Sequence, residues 1–292
     1  MKLGGQTRKR WLIERQLKAA ASWCAGDRVP VYYFDGVSNF GDQIGPFIAS
    51  AKTGRSVYNV RHLPWTPKRA YCTAGSLLHS LSKDNCSVWG SGFICAPPAG
   101  KPKARPYEVR ALRGPISARI AEDLGWGSCS NLGDPGLILP DFLPAGPVAK
   151  RRKIAVIPHY AFAQRRDLGE IADYLVFPWQ KLEHVVQEIA SSELVVSSSL
   201  HGIILAEAYR VPWVWWREPH DPRAGGEMKF LDFFGSIDVA NPPSIAGAFF
   251  EERNWLGTVE KIARAGSSSV LATRQNQLRA SMPAFEDAAC NS

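Results

Sequence analysis

The stretch V-V-S-S-S-L-H-G-I-I-L-A-E-A-Y-R-V-P-W-V, from Val195 to Val214, constrains the fold more than any other part of the chain. It predicts a short buried strand, Glu193 to Val196, that breaks into three serines and a histidine. An apolar helix from Gly202 to Tyr209 and a strand around Trp213 follow at once. A strand running straight into a helix leaves backbone N–H groups unpaired at the helix start, where an anion can dock. His201 stands at that mouth. Either the serines cap the helix and His201 packs as a surface residue, or the junction holds a phosphate or carboxylate beside a proton carrier.

The same rhythm recurs along the chain. Strands are expected at Val29 to Phe34, Ser56 to Val60, Ala70 to Ala74 and Ser87 to Trp89, each short, apolar and followed by Gly, Ser or Pro. Helices are expected from about Gln43 and over Arg113 to Leu124, the latter stopped by Gly125. After L-P-D-F-L-P-A-G-P-V-A-K-R-R-K, which reads as a linker, come strands at Ile154 to Ile157 and Tyr174 to Phe177 and a helix over Gln180 to Ala190. The fold class is therefore α/β, with two doubly wound Rossmann-like domains. The expected boundaries are 1–28 for a basic N-terminal helical segment, 29–145 for the first domain and 150–292 for the second, with C-terminal helices. Ligands of such sheets gather at the carboxyl ends of the strands, so the active site is expected in the cleft between the domains.

Charge narrows the partners. Lys and Arg exceed Asp and Glu to give +8 over 292 residues. The excess is clustered at Arg8 to Lys18, Lys101 to Arg113 and Lys150 to Lys153, which suggests an acidic ligand, an anionic membrane surface or nucleic acid. The helical pattern near the start, with Trp11, Leu12 and Leu17, could rest on lipid headgroups or pack on the first domain. No nucleic-acid motif is recognisable, and no nucleic-acid partner is expected. Six cysteines without a C-x-x-C pair predict reduced thiols and no metal site. With no signal-peptide core and no membrane-length apolar run, a cytoplasmic location is expected.

Polar residues sit just beyond several strands. Asn39, Gly41 and Asp42 follow the first; they cap the next helix or hold a sugar hydroxyl. In W-G-S-G-F, Gly92 lets a ligand approach the backbone. In V-I-P-H-Y, His159 is either a structural hydrogen-bonder or an acid–base group. Arg113, heading A-L-R-G-P-I-S, could clamp a carboxylate or phosphate, or pair with a surface acid.

N-F-G-D, G-S-G-F, L-R-G-P-I-S-x-R-I, G-D-P-G, V-I-P-H-Y and S-S-S-L-H-G-I-I-L-A-E-A-Y-R-V-P-W occur in this order. Together they resemble the polysaccharide pyruvyltransferase family, and among its members the ketal-forming succinoglycan and xanthan type. G-E-M-K-F-L-D-F-F-G-S-I, Gly226 to Ile237, is similar to a further element of that branch. The resemblance covers about Val31 to Ile237. It implies a GT-B-like fold and transfer of the pyruvyl group of phosphoenolpyruvate onto two saccharide hydroxyls as a cyclic ketal, in exopolysaccharide biosynthesis. No cofactor is implied beyond phosphoenolpyruvate as co-substrate.

The resemblance implies His201 and Arg113 in the donor site. The reaction's needs extend this to His201 and His159 as acid and base, in either order, and to Ser197, Ser198, Ser199 and Gly202 around the donor. Asn39, Asp42 and Gly92 would serve the acceptor. Many relatives carry arginine where this chain has Ser199; either the serines and the helix N-terminus hold the phosphate instead, or another cation such as Arg217 or Lys229 supplies the charge. The acceptor would be lipid-linked, with peripheral contact at the inner membrane face. A nucleotide-sugar glycosyltransferase on the same architecture is the alternative, and a basic nucleic-acid-binding protein is another.

Overall fold

The computed structural model describes residues 13–17, 28–65, 67–97, 102–146, 149–150, 152–163, 166–217, 226–264 and 268–286. The chain is α/β with two parallel sheets. The first sheet is built from β1 (Val29–Tyr32), β2 (Val57–Asn59), β3 (Ala70–Cys72), β4 (Cys86–Trp89) and β5 (Glu108–Ala111) in the order β2-β1-β3-β4-β5. Helix α1 (Phe40–Thr53) follows β1 and α2 (Pro115–Asp123) follows β5. The second sheet has the order β6-β7-β8-β9, from Arg152–Ile157, Ser192–Ser197, Trp213–Arg217 and Ser244–Ala246. Helices α3 (Leu182–Ala190), α4 (Leu200–Ala208) and α5 (Met228–Ser236) lie between its strands in sequence; α6 (Trp255–Ile262) and α7 (Ser268–Ser281) close the chain.

All pairings between named strands are parallel. Parallel strands must be covered on both faces, which is why most read as continuous apolar runs. In the first sheet the order reverses between β1 and β3, and such a switch point opens a crevice at the strands' carboxyl ends. The segments leaving β1 and β3 there carry Asn39 and, in the first turn of α1, Asp42, and Ser76 and, in a 3₁₀ turn, His79.

Helix α4 is apolar all round, and every one of its residues is buried. A helix without a polar face must be enclosed on all sides. It packs on β7, on α1 and on the 3₁₀ segment Pro135–Asp141. One apolar cluster consequently runs from Val29, Phe40 and Ile44 beside the first sheet through Leu137 to Ile203, Val195 and Trp213 in the second.

The C-terminal segment returns to the first sheet. Trp89 Nε1 donates to the Leu278 carbonyl at 3.2 Å and Tyr71 OH to that of Glu286 at 2.9 Å. The Phe285 ring, fully buried, meets Tyr71 and Trp89 edge-on at 5.0 and 6.0 Å. Its φ of 56° lies in the left-handed region, a conformation held by that packing.

Several boundaries differ from the sequence reading. Helix α1 starts at Phe40, not Gln43, because the Asn39 side chain accepts from Gly41 N–H and caps it. Helix α4 starts at Leu200, which puts His201 inside the first turn. Tyr174 to Phe177 is no strand: the 3₁₀ segment Arg166–Tyr174 occupies its start, and Leu175 alone bridges to Val156. β5 was hidden because a half-exposed edge strand can carry Glu108 and Arg110. The basic segment 1–28 lies outside the described residues except for a helical turn at 13–17 and Arg28; there Arg15 pairs with Asp35. Among the described residues Cys72, Cys86, Cys95 and Cys129 are free thiols, and no helix is long and apolar enough to cross a membrane.

Phe285→Ala removes a fully buried ring and both edge contacts. It should lower stability by about 3–5 kcal/mol, read as a fall in the urea midpoint at unchanged slope.

Candidate active site

A cavity of about 240 Å³ lies where the two sheets' carboxyl-end loops meet. Its walls come from both halves of the chain: Asn39, Asp42, Arg61 and His79 on one side, His159, Ser199, His201 and Lys229 on the other. Each is placed by a local feature of the sequence. Asn39 caps α1 and its Nδ2 donates to Asp42 Oδ2 at 3.0 Å. His159 leaves β6 after Pro158, with its backbone N–H donating to Ser198 Oγ at 2.9 Å. Lys229 stands on the first turn of α5.

His201 reaches the cavity because position 41 is glycine: a Cβ there would lie directly against His201 Nδ1. On its other side, His201 Nε2 faces Asp134 Oδ2 at 3.8 Å. Both atoms are buried and neither has a hydrogen-bond partner among the described residues, while Asp134 Oδ1 is held by Gly136 N–H at 2.9 Å. Asp134 Oδ2 is thus the carboxylate oxygen that faces the imidazole on the side away from Gly41.

The charges of the cavity are displaced from their ordinary values. Burial, followed by the positive charges of Arg113 and Lys229, pushes His201 down to about 3. Burial and Lys229, whose Nζ lies 3.5 Å from His159 Nε2, push His159 to about 3. Both imidazoles are therefore neutral at pH 7 when the cavity is empty. Burial, then Arg113, lowers Lys229 to about 8, against the opposing pull of Asp42. Burial raises Asp42 to about 7 and Asp134 to about 6, despite hydrogen bonds and nearby cations. An uncharged imidazole pair flanked by a lysine and an arginine suits an anionic ligand that brings negative charge with it. Among the described residues no three His, Cys, Asp or Glu side chains group as a metal site.

The sequence-predicted residues divide into two sets. His201, His159, Ser199, Lys229, Asn39 and Asp42 line the cavity. Arg113, Ser197, Ser198, Gly92, Gly202 and Arg217 do not. Arg113 is fully buried and its guanidinium is spent internally, on Asp232 Oδ2 at 3.0 Å, Ser76 Oγ at 2.5 Å and the Phe93 carbonyl at 2.6 Å. Gly92 serves that arginine, since a Cβ at 92 would strike the guanidinium, and Gly202 likewise makes room for Ser197 Oγ. Ser197 Oγ bridges the Ile157 and Ser199 carbonyls, and Ser198 Oγ holds the His159 backbone. Arg217 pairs with Glu227 at 2.6 Å on the surface. Arg61 and His79 were missed; each is a single residue in an unremarkable segment, and only the β1/β3 crevice reveals them.

Two variants check this geometry. Arg113→Ala leaves Asp232 buried without its counter-charge and should cost about 3–5 kcal/mol, so the loss appears in thermal melting and not in activity alone. Gly41→Ala should displace the His201 ring at a cost of about 1–3 kcal/mol, visible as a shift of its imidazole NMR resonances.

Comparison with known proteins bears on this constellation. Residues 77–216 match the family described as polysaccharide pyruvyl transferase. The succinoglycan biosynthesis protein ExoV of Rhizobium meliloti (strain 1021) is 31% identical over 131 residues, which is 42% of this chain and 39% of that protein's length. An uncharacterized protein of Acanthamoeba polyphaga mimivirus is 27% identical over 220 residues, 72% of this chain and 74% of its own. A crystal structure of a functionally uncharacterized protein from Klebsiella pneumoniae covers 85% of this chain and 99% of its own at 14% identity and a TM-score of 0.43. The matched segment, just under half of the chain, holds His159, His201 and Asp134, and both it and the similarity to ExoV point to the polysaccharide pyruvyltransferase family.

Proposed function

We propose that the protein transfers the pyruvyl group of phosphoenolpyruvate onto two hydroxyls of a saccharide, forming a cyclic pyruvate ketal in exopolysaccharide biosynthesis. The observation that carries this reading is the convergence of His159, His201, Lys229 and Arg61 on one small cavity. In this reading the two sheets are the halves of a GT-B-like arrangement, and the cavity is the cleft between them.

The reaction sets explicit demands. C3 of the donor must gain a proton so that C2 becomes electrophilic enough for a hydroxyl to attack. Lys229 and Arg61 supply positive charge for the carboxylate and phosphate, and Lys229 takes the part of the arginine that Ser199 replaces. The bound anion favours the imidazolium forms, so histidines that are neutral in the empty cavity gain protons as the donor arrives. His201 protonates C3, because Asp134 behind it stabilises the imidazolium. His159, beside the Lys229 ammonium, is the base or second proton carrier. Asn39 and Asp42, on the opposite wall, receive the saccharide. Acid–base help of this kind contributes about 10²–10⁴-fold in rate. The acceptor is lipid-linked, and the basic N-terminal segment keeps the protein near the anionic inner face of the membrane from the cytoplasmic side.

Incubation with phosphoenolpyruvate and extracted lipid-linked oligosaccharides should add a pyruvate ketal, detected by mass spectrometry with release of inorganic phosphate. His201→Ala should lower that transfer by at least ~10²-fold at an unchanged melting temperature. Wild-type turnover by His201→Ala sinks the assignment of that residue. Transfer from a nucleotide-sugar without any need for phosphoenolpyruvate sinks the reaction itself.

A further inference from the structure

Asp42 is the one carboxylate that lines the cavity among the described residues. Its Oδ2 accepts from Asn39 Nδ2 at 3.0 Å, and among the described residues its Oδ1 has no hydrogen-bond partner. The charged groups that act on it are Arg61, from the segment after β2, and Lys229, from α5; His79, His159 and His201 share the same walls. Lys229 connects the two sides, since it responds to Asp42 and stands 3.5 Å from His159 Nε2.

A carboxylate in this position repels a donor that carries both a carboxylate and a phosphate. The neutral partner of the reaction, a sugar hydroxyl, is what it can serve. Capping of α1 does not account for it either, because the cap is Asn39.

We infer that Asp42 is the general base that takes the proton from the first attacking saccharide hydroxyl. The inference rests on the pyruvyl-transfer reading above. The hydroxyl O–H bond breaks and its proton moves to Asp42, while the oxygen's electron pair forms the bond to C2 that protonation at C3 has activated. Phosphate then leaves with the electrons of its C2–O bond, and the second hydroxyl attacks the resulting cation. The two protons released by the hydroxyls balance the one gained at C3 and the one carried away by hydrogen phosphate. His159 is then the second carrier, linked to Asp42 through Lys229.

The pH dependence has a definite sign. Asp42 must be ionised to accept a proton, so the ratio of wild-type to Asp42→Asn kcat/KM for phosphoenolpyruvate should rise with pH up to about 7, because the proton that His201 takes up as the donor binds affects both proteins alike. Lys229 must stay protonated to hold the donor, so kcat/KM itself should fall more steeply as pH rises past about 8.

The test is steady-state kinetics of wild type and Asp42→Asn between roughly pH 5.5 and 9.5 with phosphoenolpyruvate and a lipid-linked oligosaccharide extract. Asp42→Asn should lower kcat by at least ~10²-fold, leave KM for phosphoenolpyruvate within about threefold and fall progressively further behind wild type in kcat/KM as pH rises to about 7. Added formate should restore turnover to Asp42→Ala, which a purely structural role would not allow. Wild-type kcat in Asp42→Asn, or a ratio of the two proteins' kcat/KM that does not change with pH below about 7, overturns the assignment and leaves the pyruvyl-transfer reading standing. A wild-type protein that forms no ketal from phosphoenolpyruvate overturns both.

Discussion

The rest of the structure depends on a buried ion pair between the two halves of the chain. Arg113 and Asp232 are both fully buried, and their hydrogen bonds tie five places together. The guanidinium holds Ser76 after β3 and the Phe93 carbonyl after β4, while Asp232 accepts from Ser117 N–H and Oγ at the start of α2. Burying two charges is repaid only when the remaining donors and acceptors are satisfied, and here they are. The cost is met by close approach: Gly92 lies against the guanidinium, and a Cβ at Gly114 would strike the Asp232 backbone. An arginine expected to grip a ligand instead fixes the frame around the cavity.

That frame sets the chemistry at a distance. Lys229 precedes Asp232 by three residues on α5, so the pair that locks this helix also aims the lysine into the cavity. The Arg113 charge, though walled off from the cavity, helps depress both His201 and Lys229. On the far side, apolar α4 is wedged between the sheets and delivers His201 to a gap that only glycine at 41 leaves open. His201 Nε2 and Asp134 Oδ2 face one another, both buried and without a hydrogen-bond partner among the described residues. A buried polar pair left open in this way marks a place where stability has been traded for readiness to bind charge.

Much of the fold was legible because parallel sheets demand apolar strands followed by turn residues. The strand before Ser197 to Ser199, the one before Asn39 and the one before His159 all announce themselves by that contrast. Where it weakens, the reading weakens with it: Glu108 and Arg110 disguise an edge strand, and β-prone Tyr174 to Phe177 makes a single bridge because the chain there follows a 3₁₀ course. Site residues behaved similarly. His159, His201, Asn39 and Asp42, which line the cavity, stand out in the sequence because they lie in the polar stretches that run from a strand into the next element. Arg61 and His79 carry no such mark, and nothing local separates a buried arginine such as Arg113 from one that meets a ligand.

The sequence by itself determined the alternation of strands and helices, the chain positions at which polar groups leave the sheets, and the order of motifs that resembles the polysaccharide pyruvyltransferases. These are local properties, set by apolar periodicity, by caps and by turn residues. Tertiary structure alone decided which cations face the cavity, which serine hydroxyls are consumed by backbone groups, and which carboxylates burial raises above their ordinary range. Those outcomes depend on burial and on charges brought together from distant positions, such as Asp42 with Lys229 and Arg113 with Asp232, and no local pattern encodes them.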